Sequence, residues 1–227
     1  MEYSVDTIVK DVLLCMDNEG LNDAEYANDS DNQAMQNVIK SKIADAIRFV
    51  FMNADMSMLN PEIWSKTDED KLSGEKTVGG ISYYSAKLPD KFLRLCYASM
   101  DDWARSVTEP ILYSDKEYAT LRNVITTGYN DNPKVALVIG SDGKYLEMYP
   151  SGSNAKIAYM QEPEMIEKPE DATETEGATK TDYPRYDIPE KVYRGVVYYT
   201  AGLTFLTFKD SHADSLMNQA VQMIGAK

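Results

Sequence analysis

The stretch Leu88 to Val107, LPDKFLRLCYASMDDWARSV, constrains the fold most, because it carries a strand-turn-strand pattern in a chain whose two ends have helical periodicity. Pro89 fixes its own φ and pushes Leu88 toward extended backbone, so Leu88-Pro89-Asp90 reads as a strand entry. From Phe92 to Ala98 apolar side chains fall on both parities: Leu93, Leu95 and Tyr97 on one face, Phe92, Cys96 and Ala98 on the other. That is the pattern of a strand covered on both sides, which predicts a central strand. Met100-Asp101-Asp102 supplies a polar reversal, and Trp103 to Val107 alternates, so the whole stretch is expected to be a hairpin with Trp103 as a core or sheet-edge aromatic.

The ends are helical. Ser4 is placed to cap a helix whose Val5, Ile8, Val9, Val12, Leu13 and Met16 recur at three-and-four spacing, with Gly20 at the C-terminal cap. The polar run Asn28 to Asn32 interrupts the pattern, and Ser30 with Gln33 forms a capping box for a second helix. Its stripe is Met35, Val38, Ile39, Ile43, Ala46, Ile47, Val50 and Phe51. Near the other end, Asp187-Ile188-Pro189-Glu190 opens a third helix to about Phe208, with Asp187 as N-cap. Val192, Tyr193, Val196, Tyr199, Leu203 and Leu206, widened by Val197, Tyr198 and Phe205, give that helix a face so broad that neighbours must nearly encircle it. Asp210 or Ser211 caps a fourth, with Leu216, Met217, Ala220, Val221 and Ile224 ended by Gly225.

Between these ends, residues 60–80, with Pro61, Trp64, the run Asp68 to Lys71 and Gly79-Gly80, read as an irregular connection. Ile81 to Ala86 reads as a short strand. Asp115 to Arg122 offers a helical turn or two capped by Ser114 or Asp115, and the Gly128 to Pro133 cluster forces a loop. Val135 to Ile139, Tyr145 to Tyr149 and Ile157 to Met160 are further strands, the first two joined across Gly140-Ser141-Asp142-Gly143. Glu162 to Tyr183 is acidic and poor in large aliphatics, so it cannot offset its ordering entropy and reads as a flexible segment, either a solvated linker or an acidic arm that orders on a partner.

The resulting expectation is an α+β fold: an amphipathic helix bundle from both chain ends (helices within 4–54 and 187–225), an inserted antiparallel β-sheet over 81–161, an acidic flexible segment at 162–183, and one domain over 1–227. Thirty-seven acids against twenty-three bases, a net charge of -14, oppose direct recognition of nucleic-acid phosphates. Met1 to Lys10 is charged and amphipathic, no apolar run is long enough to span a membrane, and Cys15 and Cys96 sit on apolar faces, which together predict a protein without signal peptide or membrane span in a reducing compartment. His212 is the only histidine, so a Ser-His-Asp arrangement or His metal cluster has at most one residue to draw on, and it reads as a surface residue. Gly79-Gly80 lacks the strand-to-helix setting of a phosphate loop, and Asp101-Asp102 and Asp68-Glu69-Asp70 lack the ligand alternation of a calcium loop. No residue is therefore assigned as catalytic, cofactor-binding or metal-ligating, and no cofactor is expected.

The order of several segments resembles the head-to-tail connector proteins of tailed bacteriophages, and within them the connector-ring proteins of crAss-like phages. The segments are YSVDTIVKDV (residues 3–12), VIKSKIADAIRFV (38–50), LPDKFLRL (88–95), DDWARSVTEPI (101–111), DKEYATLRN (115–123), GSDGKYLEMYP (140–150) and YYTAGLTF (198–205). The resemblance implies a non-enzymatic virion protein, assembled in the host bacterial cytoplasm. Its subunits would form a homo-oligomeric ring, commonly twelvefold, at the head-tail interface between the portal protein and the tail or further ring proteins, with genomic DNA passing through unbound. The acidic 162–183 insert departs from that pattern. The competing class, resting on sixteen tyrosines, is a small tyrosine-rich binding or hydrolytic accessory domain.

Overall fold

A computed structural model describes residues 1–18, 29–65, 74–167 and 183–226. The chain is α+β, with five α-helices and three β-sheets among the described residues, and it divides into two compact units, Met1–Asn60 with Pro163–Lys227, and Pro61–Glu162.

In the first unit the helices are α1 (Val5–Asn18), α2 (Asp29–Asn53), α4 (Glu190–Thr207) and α5 (Ala213–Met223), with α3 (Lys116–Thr120) belonging to the second. Ser4 Oγ accepts the Thr7 backbone N–H at 3.1 Å, the expected cap of α1. The apolar stripes are the buried ones: Ile8, Val12 and Met16 of α1, and Ile39, Ile43, Ile47 and Val50 of α2, are sealed from solvent. The broad face of α4 is met by α1, α2 and α5. Two threonines survive inside that contact because Thr200 and Thr204 donate to the carbonyls four residues back, at 2.7 and 2.8 Å. Gly195 and Gly202 let α5 approach closely, since a Cβ on Gly195 would collide with Ile224 Cγ2 and one on Gly202 would lie 2.7 Å from Met217 Cγ. Gly225, at φ +64°, ends α5 as expected.

Several expectations in this unit are corrected. Leu206 is exposed, because Phe205 takes the inward position and the next residue points about 100° away around the helix. Asp187 does not cap α4. It is the last residue of β11 (Arg185–Asp187), and its carboxylate takes the Met1 amine at 2.6 Å, so α4 starts after Pro189 without a side-chain cap. His212, not Asp210 or Ser211, occupies the N-cap of α5, although Asp210 Oδ1 does accept the His212 backbone N–H at 2.9 Å. β11 is the middle of an antiparallel sheet with β1 (Glu2–Ser4) and β10 (Met165–Ile166). β10 lies at the start of the segment read as flexible; its greater part, 168–182, lies outside the described residues. So do the Gly20 cap, the Ser30 side chain of the capping box and the Asp68 to Lys71 run. α2 begins at Asp29, inside the polar run read as a break.

The second unit holds β2 (Glu62–Ser65), β3 (Gly74–Val78), β4 (Ile81–Lys87), β5 (Phe92–Ser99), β6 (Ile111–Leu112), β7 (Lys134–Gly140), β8 (Gly143–Tyr149) and β9 (Lys156–Gln161). The single antiparallel sheet expected over 81–161 is two sheets, ordered β3-β4-β8-β7-β6 and β2-β9-β5, and β6 runs parallel to β7. Parity explains the layering. Tyr84, Ala86, Val135, Leu146 and Met148 turn to a core shared with Phe92, Leu95, Ile157 and Tyr159 of the three-stranded sheet. Their neighbours Ile81, Tyr83, Ala136 and Tyr149 turn the other way and pack with Leu121. Where β4, β7 and β8 meet, the five-stranded sheet is thus buried on both faces, the second under residues 111–121, while β3 is exposed.

The irregular connection over 60–80 in fact contains β2 and β3, and Gly79-Gly80, at φ +61° and +81°, is the two-residue turn of the β3-β4 hairpin. β5 is an edge strand, not a central one: it pairs with β9 and beyond that makes a single bridge, Ala98 to Val107. The expected hairpin is reduced to a reversal at Met100 to Trp103 closed by that one antiparallel bridge, with no second strand, because the turn is also tied elsewhere. Asp102 Oδ2 accepts the Ser153 N–H and hydroxyl at 2.9 and 3.1 Å, Asp101 Oδ2 accepts from Asn154, and Ala104 N donates to Asn130 O at 2.9 Å. Trp103 is buried and donates its indole N–H to Pro150 O at 3.2 Å, as a core aromatic does.

Candidate interaction surface

The chain from β6 to β7 is fastened to the five-stranded sheet by one buried charge. Glu147, on the outward parity of β8, is 7% exposed and accepts the Tyr149 hydroxyl at 2.7 Å, the Tyr118 hydroxyl at 3.1 Å, and Arg122 Nη2 at 3.1 Å. The Arg122 guanidinium also lies over the Tyr83 ring, 4.8 Å from its centroid. Burial lowers the Arg122 basicity, but contacts with Tyr83, Tyr118 and Glu147 outweigh this and hold its charge on. Burial, then the Glu147 carboxylate, pushes the Tyr149 phenol far above its usual range, so it remains a neutral donor. The chemistry of the constellation is that of a staple.

What it staples is a tip. Leu121 is sealed beneath it, and Asn123 organises the reversal that follows: its Oδ1 accepts Ile125 N at 2.9 Å and its carbonyl accepts Thr126 N and Thr127 N at 3.1 and 2.8 Å. Thr126 Oγ1 donates to Thr120 O at 2.6 Å, and Lys134 Nζ reaches Thr126 O at 3.2 Å and Glu117 at 3.0 Å. Gly128 then passes directly against the Tyr149 carbonyl, where a Cβ would not fit. At the summit Val124 is 71% and Ile125 89% exposed. Val124 and Ile125 stand out from a turn closed by backbone hydrogen bonds, in which the buried Thr127 hydroxyl lacks a partner, and they do not pack against the rest of their own chain.

A second apolar surface lies at the other end of β7. β6 pairs only Ile111 with Ala136 and Leu112 with Leu137 before the chain turns at Asp115, whose carboxylate accepts Leu112 N at 3.0 Å instead of an N–H of α3. β7 continues past it, leaving Ile139 72% exposed near exposed Leu112 and Tyr113.

The residues considered from sequence are scattered and already engaged. His212 faces Asp210 Oδ1 at 2.8 Å, and the His212 backbone N–H first, then its ring, hold the Asp210 carboxyl below the usual range. Asp101 and Asp102 bind the 153–154 loop. Cys15 and Cys96 are buried thiols outside any disulfide, and burial pushes the Cys96 thiol up, the reverse of a reactive thiolate. Tyr83, Tyr84, Tyr149, Tyr159 and Tyr186 are core residues. Among the described residues no three His, Cys, Asp or Glu side chains are grouped to hold a metal, and no helix is long and apolar enough to cross a membrane. In the first unit α1 and α2 border an open groove of about 550 Å³ floored by Val9, Leu13 and Leu14 and crossed by the Lys40–Asp6 pair at 3.0 Å. Sequence reasoning missed Arg122, Glu147 and the tip. The available signal was the run Asn123 to Asn130, uncharged throughout in a chain that is 26% charged.

The chain matches no protein-family model, and no curated protein matches it significantly.

Proposed function

We propose that the chain is a structural, non-enzymatic protein of a tailed-phage virion: one subunit of a twelvefold ring at the head-tail interface, between portal and tail, assembled in the host bacterial cytoplasm. In this reading the helices of both chain ends form one bundle, the sheets of 81–161 are its insertion, and 1–227 is a single connector domain. Genomic DNA passes the lumen without specific binding. The observation that carries the reading is the braced, uncharged tip at Val124-Ile125, held by the network around the buried Glu147, which we read as a protein-docking feature. The segment order that resembles phage connectors supplies the rest.

The test is co-expression with a portal protein from the resembled phage group, followed by native mass measurement and imaging of the purified complex. Closed rings of this chain on the portal are expected. A monomer or dimer that leaves the portal unbound would overturn the proposal and favour the accessory binding domain.

A further inference from the structure

We infer that this chain associates with copies of itself head to tail, the Val124-Ile125 tip of one copy seating on the Leu112, Tyr113 and Ile139 surface at the edge of the next copy's five-stranded sheet. The inference rests on the ring reading and names the contact that would build the ring. Both surfaces belong to the second unit and lie at opposite ends of β7. The tip is tied to Lys134, the first residue of that strand, and Ile139 is five residues on, a span of about 16 Å at strand rise. A foreign partner would need only one such surface. Two apolar surfaces at opposite ends of one rigid strand are what a heterologous self-contact needs, since each copy then offers one and uses the other, and the contact repeats around a closed ring.

Charge favours a second copy at this place. Copies of a chain with net charge -14 repel one another wherever acids meet, and Asn123 to Asn130 is an eight-residue run without a charge on which they can approach. Five side chains bury well under the roughly 1,200 Å² of a stable specific interface, so a single contact is weak and its strength comes from ring closure or from a platform that gathers subunits.

The test is disulfide trapping, with Ile125→Cys and Ile139→Cys made in separate chains. Both positions are exposed, so neither change touches the core, and the native Cys15 and Cys96 are buried and give low background. Under thiol oxidation the mixture of the two chains should yield a cross-linked dimer that neither chain yields alone. Adding Val124→Asp to the tip chain should abolish it. A chain carrying both cysteines should give a ladder of covalent oligomers. The inference is overturned if the mixture stays at the wild-type background, or if the Ile125→Cys chain alone cross-links as readily as the mixture. Native mass of the wild type separates the two failures. Closed rings without the cross-link would sink this contact and leave the ring standing; neither rings nor cross-link would sink both; a cross-link with open oligomers would support the contact and refute the ring.

Discussion

Arg122→Ala should destabilise the segment that carries the tip. The substitution leaves the Glu147 carboxylate, 7% exposed, with two tyrosine hydroxyls and no counterion. Breaking a fully buried pair costs about 3–5 kcal/mol, but the Arg122 side chain is 32% exposed, so water shares the rescue and about 2–3 kcal/mol is expected. Loss of the cation-π contact with Tyr83 is part of that figure, at about 0.5–1 kcal/mol. The assay is denaturant unfolding of Arg122→Ala, Glu147→Gln and the double variant. Glu147→Gln keeps an acceptor for the Tyr149 hydroxyl while removing the charge, so in that background Arg122→Ala should cost only about 1 kcal/mol, giving a coupling of about 1–2 kcal/mol. Hydrogen exchange at the Thr126 and Thr127 amides should speed up in Arg122→Ala, since the turn they close loses its anchor. An Arg122→Ala cost below about 0.5 kcal/mol, or an identical cost with and without the Glu147 charge, would refute the staple and show an ordinary surface ion pair.

Gly195→Ala should lower the thermal midpoint, because overpacking against Ile224 at about 1–3 kcal/mol exceeds the helix-propensity gain of about 1 kcal/mol; an unchanged or higher midpoint would show that α5 can shift freely. Alkaline pH should destabilise the fold. Tyr149 is neutral and fully buried with a raised pKa, so its contribution is complete below about pH 10, where the unfolded phenol ionises, and falls by about 1.4 kcal/mol per pH unit above it. Denaturation midpoints that stay level from about pH 9 to 11 would contradict this. If the subunits form the proposed ring, repeated acidic charge should let duplex DNA slide through unheld, and tight, salt-sensitive binding of duplex to the assembled ring would reveal a clamp instead.

Sequence alone determined whatever is written in neighbouring residues. Helix faces follow from three-and-four spacing, so most of the buried stripes of α1 and α2 was legible, Leu13 and Val38 being only half-buried, as were the Ser4 cap, the Gly225 stop and the β7-β8 turn over Ser141-Asp142. The Gly79-Gly80 hairpin was written in the same local code. Its positive φ angles are the ordinary signature of such a turn, and β3 on one side of it is polar enough to pass for loop. Tertiary structure decided what depends on partners distant in the chain. Phe92 to Ser99 has the side-chain pattern of a central strand, yet it lies at an edge: two register shifts against β9 bring Phe92, Leu95 and Ala98 into one core, so apolar residues on both parities do not require a strand on each flank. Asp187 has the composition of a helix cap, yet pairing with Glu2 across the chain holds it in a strand. Arg122 and Glu147 stand 25 residues apart with no periodicity to link them; only when β8 turns its odd-numbered residues toward the cover does a lone acid meet the arginine that neutralises it. Local geometry fixes which face a side chain takes, whereas the identity of what lies across from that face is set by loop closure and sheet order, to which no short-range pattern is sensitive.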